Sequence, residues 1–272
     1  MNGAERRDLA LSDYREFRPP AALSEFLLCF WAQTIRSPAE FHQRVLPDAC
    51  VDILLLNELP MVAGPWTEPF IARLPPHTEI IGARCHPGLA PSLLGIPASE
   101  LLNRYLPLRE VWSSSETDSF ARVAGESALS FRMAAMAAAV SERLARARPP
   151  DDPVKAAIQW IARRPRGRVE ELGRWLGLSS RQIQRRFAGA VGYGPKLFQS
   201  VLRFQRLLHL AARPGTGCSL AQFAADADYA DQAHMTREVR RFSGTIPSRS
   251  LASPRSTLRL SGLIGPLCTP DS

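Results

Sequence analysis

"LSSRQIQRRF" occupies Leu178–Phe187 and holds three arginines, two glutamines and two serines against three apolar residues. The run Ser179–Gln182 has the S-x-x-Q spacing of a capping box, with Ser179 as the N-cap and Gln182 as its reciprocal partner. From that start, Ile183, Phe187 and Ala190 or Val191 form one apolar stripe. Arg181, Gln184, Arg185 and Ala188 fall on the other face, at helical spacings of three and four. Just upstream, "VEELGRWLGLS" (Val169–Ser179) places Val169, Leu172, Trp175 and Leu176 on the apolar side of a short helix that Gly177 stops. The pattern is helix, tight turn, helix, with the second helix polar outward. Exposed helices often carry charge for no reason but solvation. Here the turn spacing and the capping box point to a DNA reader, since Arg pairs bidentately with guanine and Gln with adenine in the major groove.

The arrangement recurs. "SLAQFAADADYADQAHMTREVRRF" (Ser219–Phe242) reads as a short helix with Leu220, Phe223 and Ala224 inward, a turn through Asp228–Asp231, and a second polar helix. Met235, Val239 and Phe242 form its stripe, and Gln232, Thr236, Arg237 and Arg240 face outward. Ile183 matches Met235, Phe187 matches Val239 and Arg185 matches Arg237. Between the units, "PKLFQSVLRFQRLLHLAAR" (Pro195–Arg213) predicts one long helix of roughly 27 Å. That length suits a rod holding two reading heads about one DNA turn, roughly 34 Å, apart.

Charge follows the same division. Residues 153–254 hold 17 Lys and Arg against 6 Asp and Glu, a net of +11, whereas residues 1–152 hold 15 against 19, a net of −4. A concentrated positive charge is the footprint of a polyanionic partner. The five cysteines are scattered, odd in number and without a CxxC, as expected of reduced thiols in a cytoplasm. No apolar run approaches the ~20 residues of a membrane span, and "MNGAERRDLALSDYREF" has no apolar stretch of the kind a secretory leader needs.

Upstream, "CVDILLL" (Cys50–Leu56) and "TEIIGARC" (Thr78–Cys85) read as strands between Pro- and Gly-rich turns. "LSEFLLCFWAQT" (Leu23–Thr34) fits a strand or a short helix, and "PASELLNRYLP" (Pro97–Pro107) predicts a helix. Residues 116–148 are alanine-rich and helical, with Met133, Met136, Val140 and Leu144 in one stripe. "RARPPDDP" (Arg146–Pro153) marks a linker.

Residues 153–250 resemble the DNA-binding domain of AraC/XylS-type transcription regulators. The motifs "LGLSSRQIQRRF", "VGYGPKLFQSVLRFQRLL" and "YADQAHMTREVRRFSGTIPSR" occur in that family's order and spacing. The resemblance implies that the second helix of each unit enters successive major grooves. Carried over by position, it implies DNA contacts from Ser180, Arg181, Gln184 and Arg185, and from Gln232, Ala233, His234, Thr236 and Arg237. Ala233 stands where many members have a polar residue. Asp228 stands where the turn usually has glycine, and Asp tolerates the left-handed region better than most residues. The segments "RVLPDACVDILLL" and "IIGARCHPGLAPSLLGIPASELLNRYLPLREVW" resemble an uncharacterised domain often fused to such modules. It implies a small β-rich sensor or dimerisation unit followed by helices. The implied partners are double-stranded DNA, an unknown small-molecule effector, a second copy of the chain and RNA polymerase.

The expectation is therefore an α+β chain. A β-rich sensor spans 1–115, a helical connector with a dimerisation role 116–148, an all-α DNA-binding domain 149–254, and a loose tail 255–272. In the DNA-binding domain, two helix-turn-helix units are joined by a long helix. No cofactor, metal or catalytic group is expected. His42, Cys50, Cys85 and His86 lack the spacing of a zinc site. No nucleophile elbow, P-loop or dinucleotide fingerprint occurs. Asp48, Asp52 and Arg84 either bracket a pocket or cap turns and pair with one another. Cys218, just before a helix start, is a packing residue or a thiol of lowered pKa. The competing reading is a DNA-targeted enzyme, such as a thiol-dependent repair methyltransferase, fused to the same module. It requires an activated cysteine, and Cys29, Cys50 and Cys85 lie in apolar or Pro-flanked segments without such a motif.

Overall fold

The structure, a computed structural model, describes residues 11–125, 128–213 and 219–252. The expected tail at 255–272 and Cys218 lie outside the described residues.

The N-terminal half is built in layers. Strands β1 (Ser12–Phe17), β2 (Leu27–Ile35), β4 (Asp52–Leu56), β5 (Leu59–Ala63), β7 (Glu79–Cys85) and β8 (Tyr105–Pro107) form a six-stranded antiparallel sheet in the order β1-β2-β7-β4-β5-β8. Strands β3 (Phe41–Val45) and β6 (Phe70–Leu74) form a separate hairpin-like pair. Alternate residues of the large sheet face opposite ways. Phe30, Ile53, Leu55, Ile81 and Ala83 pack toward helices α1 (Ala90–Leu94), α2 (Ser114–Ala121) and α3 (Leu129–Leu144). Cys29, Trp31, Leu54 and Ile80 pack toward Phe41, Ala72 and Leu74 of the small sheet. Both faces of the central strands are covered, which is why Ile53–Leu56 reads as an unbroken apolar run.

The ambiguous segment 23–34 resolves into a short 3-10 turn, Ala21–Leu23, followed by β2. Tertiary pairing decides it, because β2 lies between β1 and β7. The helix expected over Pro97–Pro107 does not form. A single 3-10 turn at Ala98–Leu101 gives way to Asn103 at φ 54° and then to β8. The Asn103 side chain accepts from the Thr67 N–H at 2.8 Å, and Ala63 and Val62 of β5 pair with Tyr105 and Leu106. Pairing at an open sheet edge outweighs local helical preference here. The stripe expected of a helical connector also has another role. Met136 and Val140 are fully buried on the large sheet, with Met133 and Leu144 packed beside them, so α2 and α3 are a layer of the N-terminal core.

The C-terminal half comprises α4 (Asp152–Arg163), α5 (Val169–Leu176), α6 (Ser180–Val191), α7 (Pro195–Ala211), α8 (Leu220–Asp226), α9 (Gln232–Ser243) and α10 (Pro247–Ala252). Its core centres on Phe187, Phe198, Phe204 and Phe242, all fully buried, and it also takes in Leu46 and Ala49 from the N-terminal half. The two halves meet along a seam. Gln205 Nε2 donates to Pro47 O at 2.6 Å, and Arg44 donates to Ser243 O at 2.7 Å. Lys155 pairs with Glu25 at 2.6 Å. Gly192, at φ 99°, sits so close to Pro65 that a Cβ would collide with it and crowd the Ala98 carbonyl.

Gln205→Ala leaves the buried Pro47 carbonyl without its donor. The expected cost is about 1–3 kcal/mol of stability, read as a lower urea midpoint of the full chain at unchanged slope.

Candidate nucleic-acid interface

In the first helix-turn-helix unit, Gly177 adopts the left-handed conformation, φ 65° and ψ 27°, that ends α5 within one residue. Ser179 follows as the N-cap of α6. Its hydroxyl accepts from the Gln182 N–H at 3.3 Å, and Gln182 Oε1 accepts from the Ser179 N–H at 2.9 Å. The capping box thus forms in both directions and sets the register of α6. Ile183, Phe187, Ala190 and Val191 are buried, while Ser180, Arg181, Gln184 and Arg185 are exposed. The end of the Gln184 side chain lies back against Gly194.

One expectation fails in α5: Trp175 is 57% exposed. The buried edge runs through Leu172, Gly173 and Leu176, with Gly173 close against Leu178 O and Ile183. At about 100° per residue, that edge carries Trp175 out to solvent.

The second unit repeats the plan with different chemistry. Ser219 caps α8, and Asp231 caps α9 by accepting from the His234 N–H at 2.6 Å. Met235, Val239 and Phe242 are fully buried. Asp228 takes the left-handed turn position at φ 64°. Its carboxylate meets Arg206 at 2.6 Å and Arg166 at 3.7 Å, so the residue replacing glycine also anchors α7 to the turn. Gln232, Ala233 and Arg237 are exposed. Thr236 is half-buried and donates back to the Gln232 carbonyl at 2.8 Å. His234 turns toward the domain: its ring stands edge-on to Tyr229 at 5.3 Å, and Nε2 lies 3.5 Å from Glu238. Burial raises the Tyr229 phenol above its ordinary pKa and keeps it neutral beside that ring.

The arginines divide into two groups that the sequence could not separate. Arg203 pairs with Glu238 at 3.1 Å, Arg206 with Asp228, and Arg186 with Asp151 at 2.8 Å, across to the start of α4. Arg181, Arg185, Arg237 and Arg240 are exposed on α6 and α9 and have no ion-pair partner among the described residues. Arg163, Arg164, Arg174, Lys196 and Arg249 are also exposed without an ion pair among the described residues, so the second helix of each unit holds part of the positive charge left for a polyanion.

A helix-turn-helix family model matches residues 172–253, and a model described as a domain of unknown function matches residues 15–107. The chain carries an AraC-type helix-turn-helix domain. The α5–α6 and α8–α9 units belong to this DNA-binding domain. A search of the curated proteins found no match. Among solved structures, ToxT from Vibrio cholerae O395 is similar at 10% identity and a TM-score of 0.40, over 90% of this chain and 99% of that one. An apo ToxT variant from Vibrio cholerae strain SCE256 is similar at 10% identity and a TM-score of 0.42, over 89% and 96%. No residue correspondence follows from likeness at that level.

Among the described residues, no group of three or more His, Cys, Asp or Glu is placed to hold a metal ion, and no helix is long and apolar enough to cross a membrane. Asp48 caps a turn by accepting from the Cys50 N–H at 2.8 Å. Asp52 both pairs with Arg84 and lines a cavity, so the two readings of these residues from sequence hold together.

Removing the α6 cap with Ser179→Ala is expected to cost about 1 kcal/mol, within a range of 0.5–2. Thermal unfolding followed by circular dichroism measures it, with DNA affinity falling in parallel as the first turn of α6 loosens.

Proposed function

We propose that α6 and α9 enter successive major grooves on one face of duplex DNA. Ser180, Arg181, Gln184 and Arg185 meet the first half of the site, and Gln232, Ala233, Thr236 and Arg237 meet the second. The observation that supports this reading most is the distribution of ion pairs, which engages Arg186, Arg203 and Arg206 within the domain and leaves Arg181, Arg185, Arg237 and Arg240 on the two outward faces without an acidic partner among the described residues. The 17 residues of α7 make a rod of about 26 Å between the units, compatible with heads set about one helical turn apart. His234, held by Tyr229 and Glu238, serves the packing of α9 and contacts at most a phosphate.

In this reading the N-terminal layers, built from the described residues between 11 and about 148, form a sensing unit in a cytoplasmic regulator, and RNA polymerase is a partner. A homodimer through the α3 stripe has no support, because that stripe is buried. The repair-enzyme alternative needs a thiolate. Burial instead pushes the Cys29 thiol up to about 12 and raises those of Cys50 and Cys85, the reverse of an activated nucleophile.

Binding-site selection with the full chain and two variants tests the register. Arg185→Ala is expected to cost roughly 1–3 kcal/mol at the selected site and to flatten one or two base preferences. Arg186→Ala, which loses the contact with Asp151, is expected to weaken all sequences about equally and to leave the selected motif unchanged. A changed motif from Arg186→Ala with an intact motif from Arg185→Ala overturns the assignment.

A further inference from the structure

Between the large sheet and the β3–β6 pair lies a cavity of about 280 Å³. Its walls are mostly apolar, from Trp31, Leu54, Trp66, Phe70, Ile80 and Tyr105, and Trp66 stacks on Phe70 at 4.6 Å. Into this apolar space the fold places a small polar cluster. Arg84, 3% exposed, donates through Nε and Nη2 to the two oxygens of Asp52, at 3.0 and 3.1 Å. Trp31 Nε1 donates to the same carboxylate at 2.8 Å. Gln33, 4% exposed, donates through Nε2 to Gln43 Oε1 and to Ser12 Oγ, both at 2.8 Å.

Two buried atoms of this cluster are left without a hydrogen-bond partner: Arg84 Nη1, a donor, and Gln33 Oε1, an acceptor. Both residues line the cavity. Buried polar atoms are nearly always satisfied, and an unpaired pair of opposite character beside an apolar cavity is the signature of a ligand subsite.

The charges decide the head group. Asp52 already neutralises Arg84 with a two-point pair, and Asp48 adds a second carboxylate, its pKa pushed up to about 6 by burial. The other arginine of the lining, Arg73, is exposed and screened by solvent, so an anion that reaches Arg84 meets an already compensated charge and loses its hydration. A cation has no acceptor to offer Arg84 Nη1. A neutral group that accepts one hydrogen bond and donates one satisfies both atoms, and the aromatic walls cover a flat apolar body.

We propose that this cavity is a binding site for a small, neutral, one- or two-ring aromatic molecule whose head group accepts from Arg84 and donates to Gln33, as a primary amide or a phenol-ketone does. The inference rests on the reading of the N-terminal layers as the sensing half of the regulator. Occupancy has a direct route to the reading heads. Gln43 and Val45 of β3 line the cavity, whereas Arg44 between them holds the Ser243 carbonyl at the end of α9.

The test uses the full chain and a matched pair of probes, naphthamide and naphthoate, which share shape and differ in charge. Calorimetric titration is expected to show saturable one-to-one binding of the amide, with the carboxylate weaker by about tenfold or more. Ala72→Phe, which fills the cavity, abolishes amide binding. Gln33→Met, which removes the acceptor, weakens it by about tenfold and keeps the test decisive if the larger side chain prevents folding. No saturable amide binding, equal or tighter binding of the carboxylate, or binding untouched by both variants overturns the proposal. Duplex-DNA binding by the same preparation separates the two readings. Amide binding without DNA binding sinks the regulator and leaves the pocket standing, whereas DNA binding without amide binding sinks the pocket alone.

Discussion

The carbonyl of Pro47 is buried between the two halves of the molecule and takes its hydrogen bond from Gln205 of α7. A buried carbonyl without a partner is costly, so this one bond fixes the loop between β3 and β4 against the long helix that links the two reading units. Around it, Leu46 and Ala49 enter the C-terminal core, and Cys50 packs on Leu202. The loop belongs to the N-terminal chain but completes the hydrophobic interior of the DNA-binding half. The orientation of the two halves is therefore a matter of core packing and not of linker length.

That arrangement gives the small β3–β6 sheet two faces with different duties. One face closes the cavity over Trp31 and Arg84. The other reaches α9 through Arg44 and ends in the loop held by Gln205. A displacement of this sheet alters a buried hydrogen bond and a packed core, both of which resist continuous deformation. The element is small, and its pairing is confined to five residue pairs, Phe41 to Val45 with Leu74 to Phe70.

Electrostatics in the C-terminal half works by subtraction. A net of +11 over residues 153–254 describes total charge, not available charge. Glu238, Asp228 and Asp151 each pair with an arginine, at the α7–α9 contact, the second turn and the start of α4, and the first of these pairs is largely removed from water. Asp228 does so from a left-handed backbone position that glycine would occupy at less conformational cost, and its two arginine contacts offset that cost.

The sequence by itself determined whatever depends on spacing along one helix. The capping box at Ser179 and Gln182, the stripes Ile183–Phe187 and Met235–Val239–Phe242, the stop at Gly177 and the rod from Pro195 are local, and the backbone realises them as read. The exposed faces of α6 and α9 follow from the same geometry. Tertiary structure decided what depends on competition between distant partners. Residues 105–107 became an edge strand because β5 offered unpaired backbone groups, Trp175 turned outward because Gly173 let Leu178 and Ile183 approach, and the alanine-rich stripe packed on a sheet. Which arginines stay free, and that Arg84 and Asp52 meet beside an apolar cavity 32 residues apart in sequence, are equally nonlocal. Periodicity reports the face a side chain occupies. Only the packed chain reports what waits opposite that face, because burial, charge pairing and hydrogen-bond satisfaction are properties of neighbours in space.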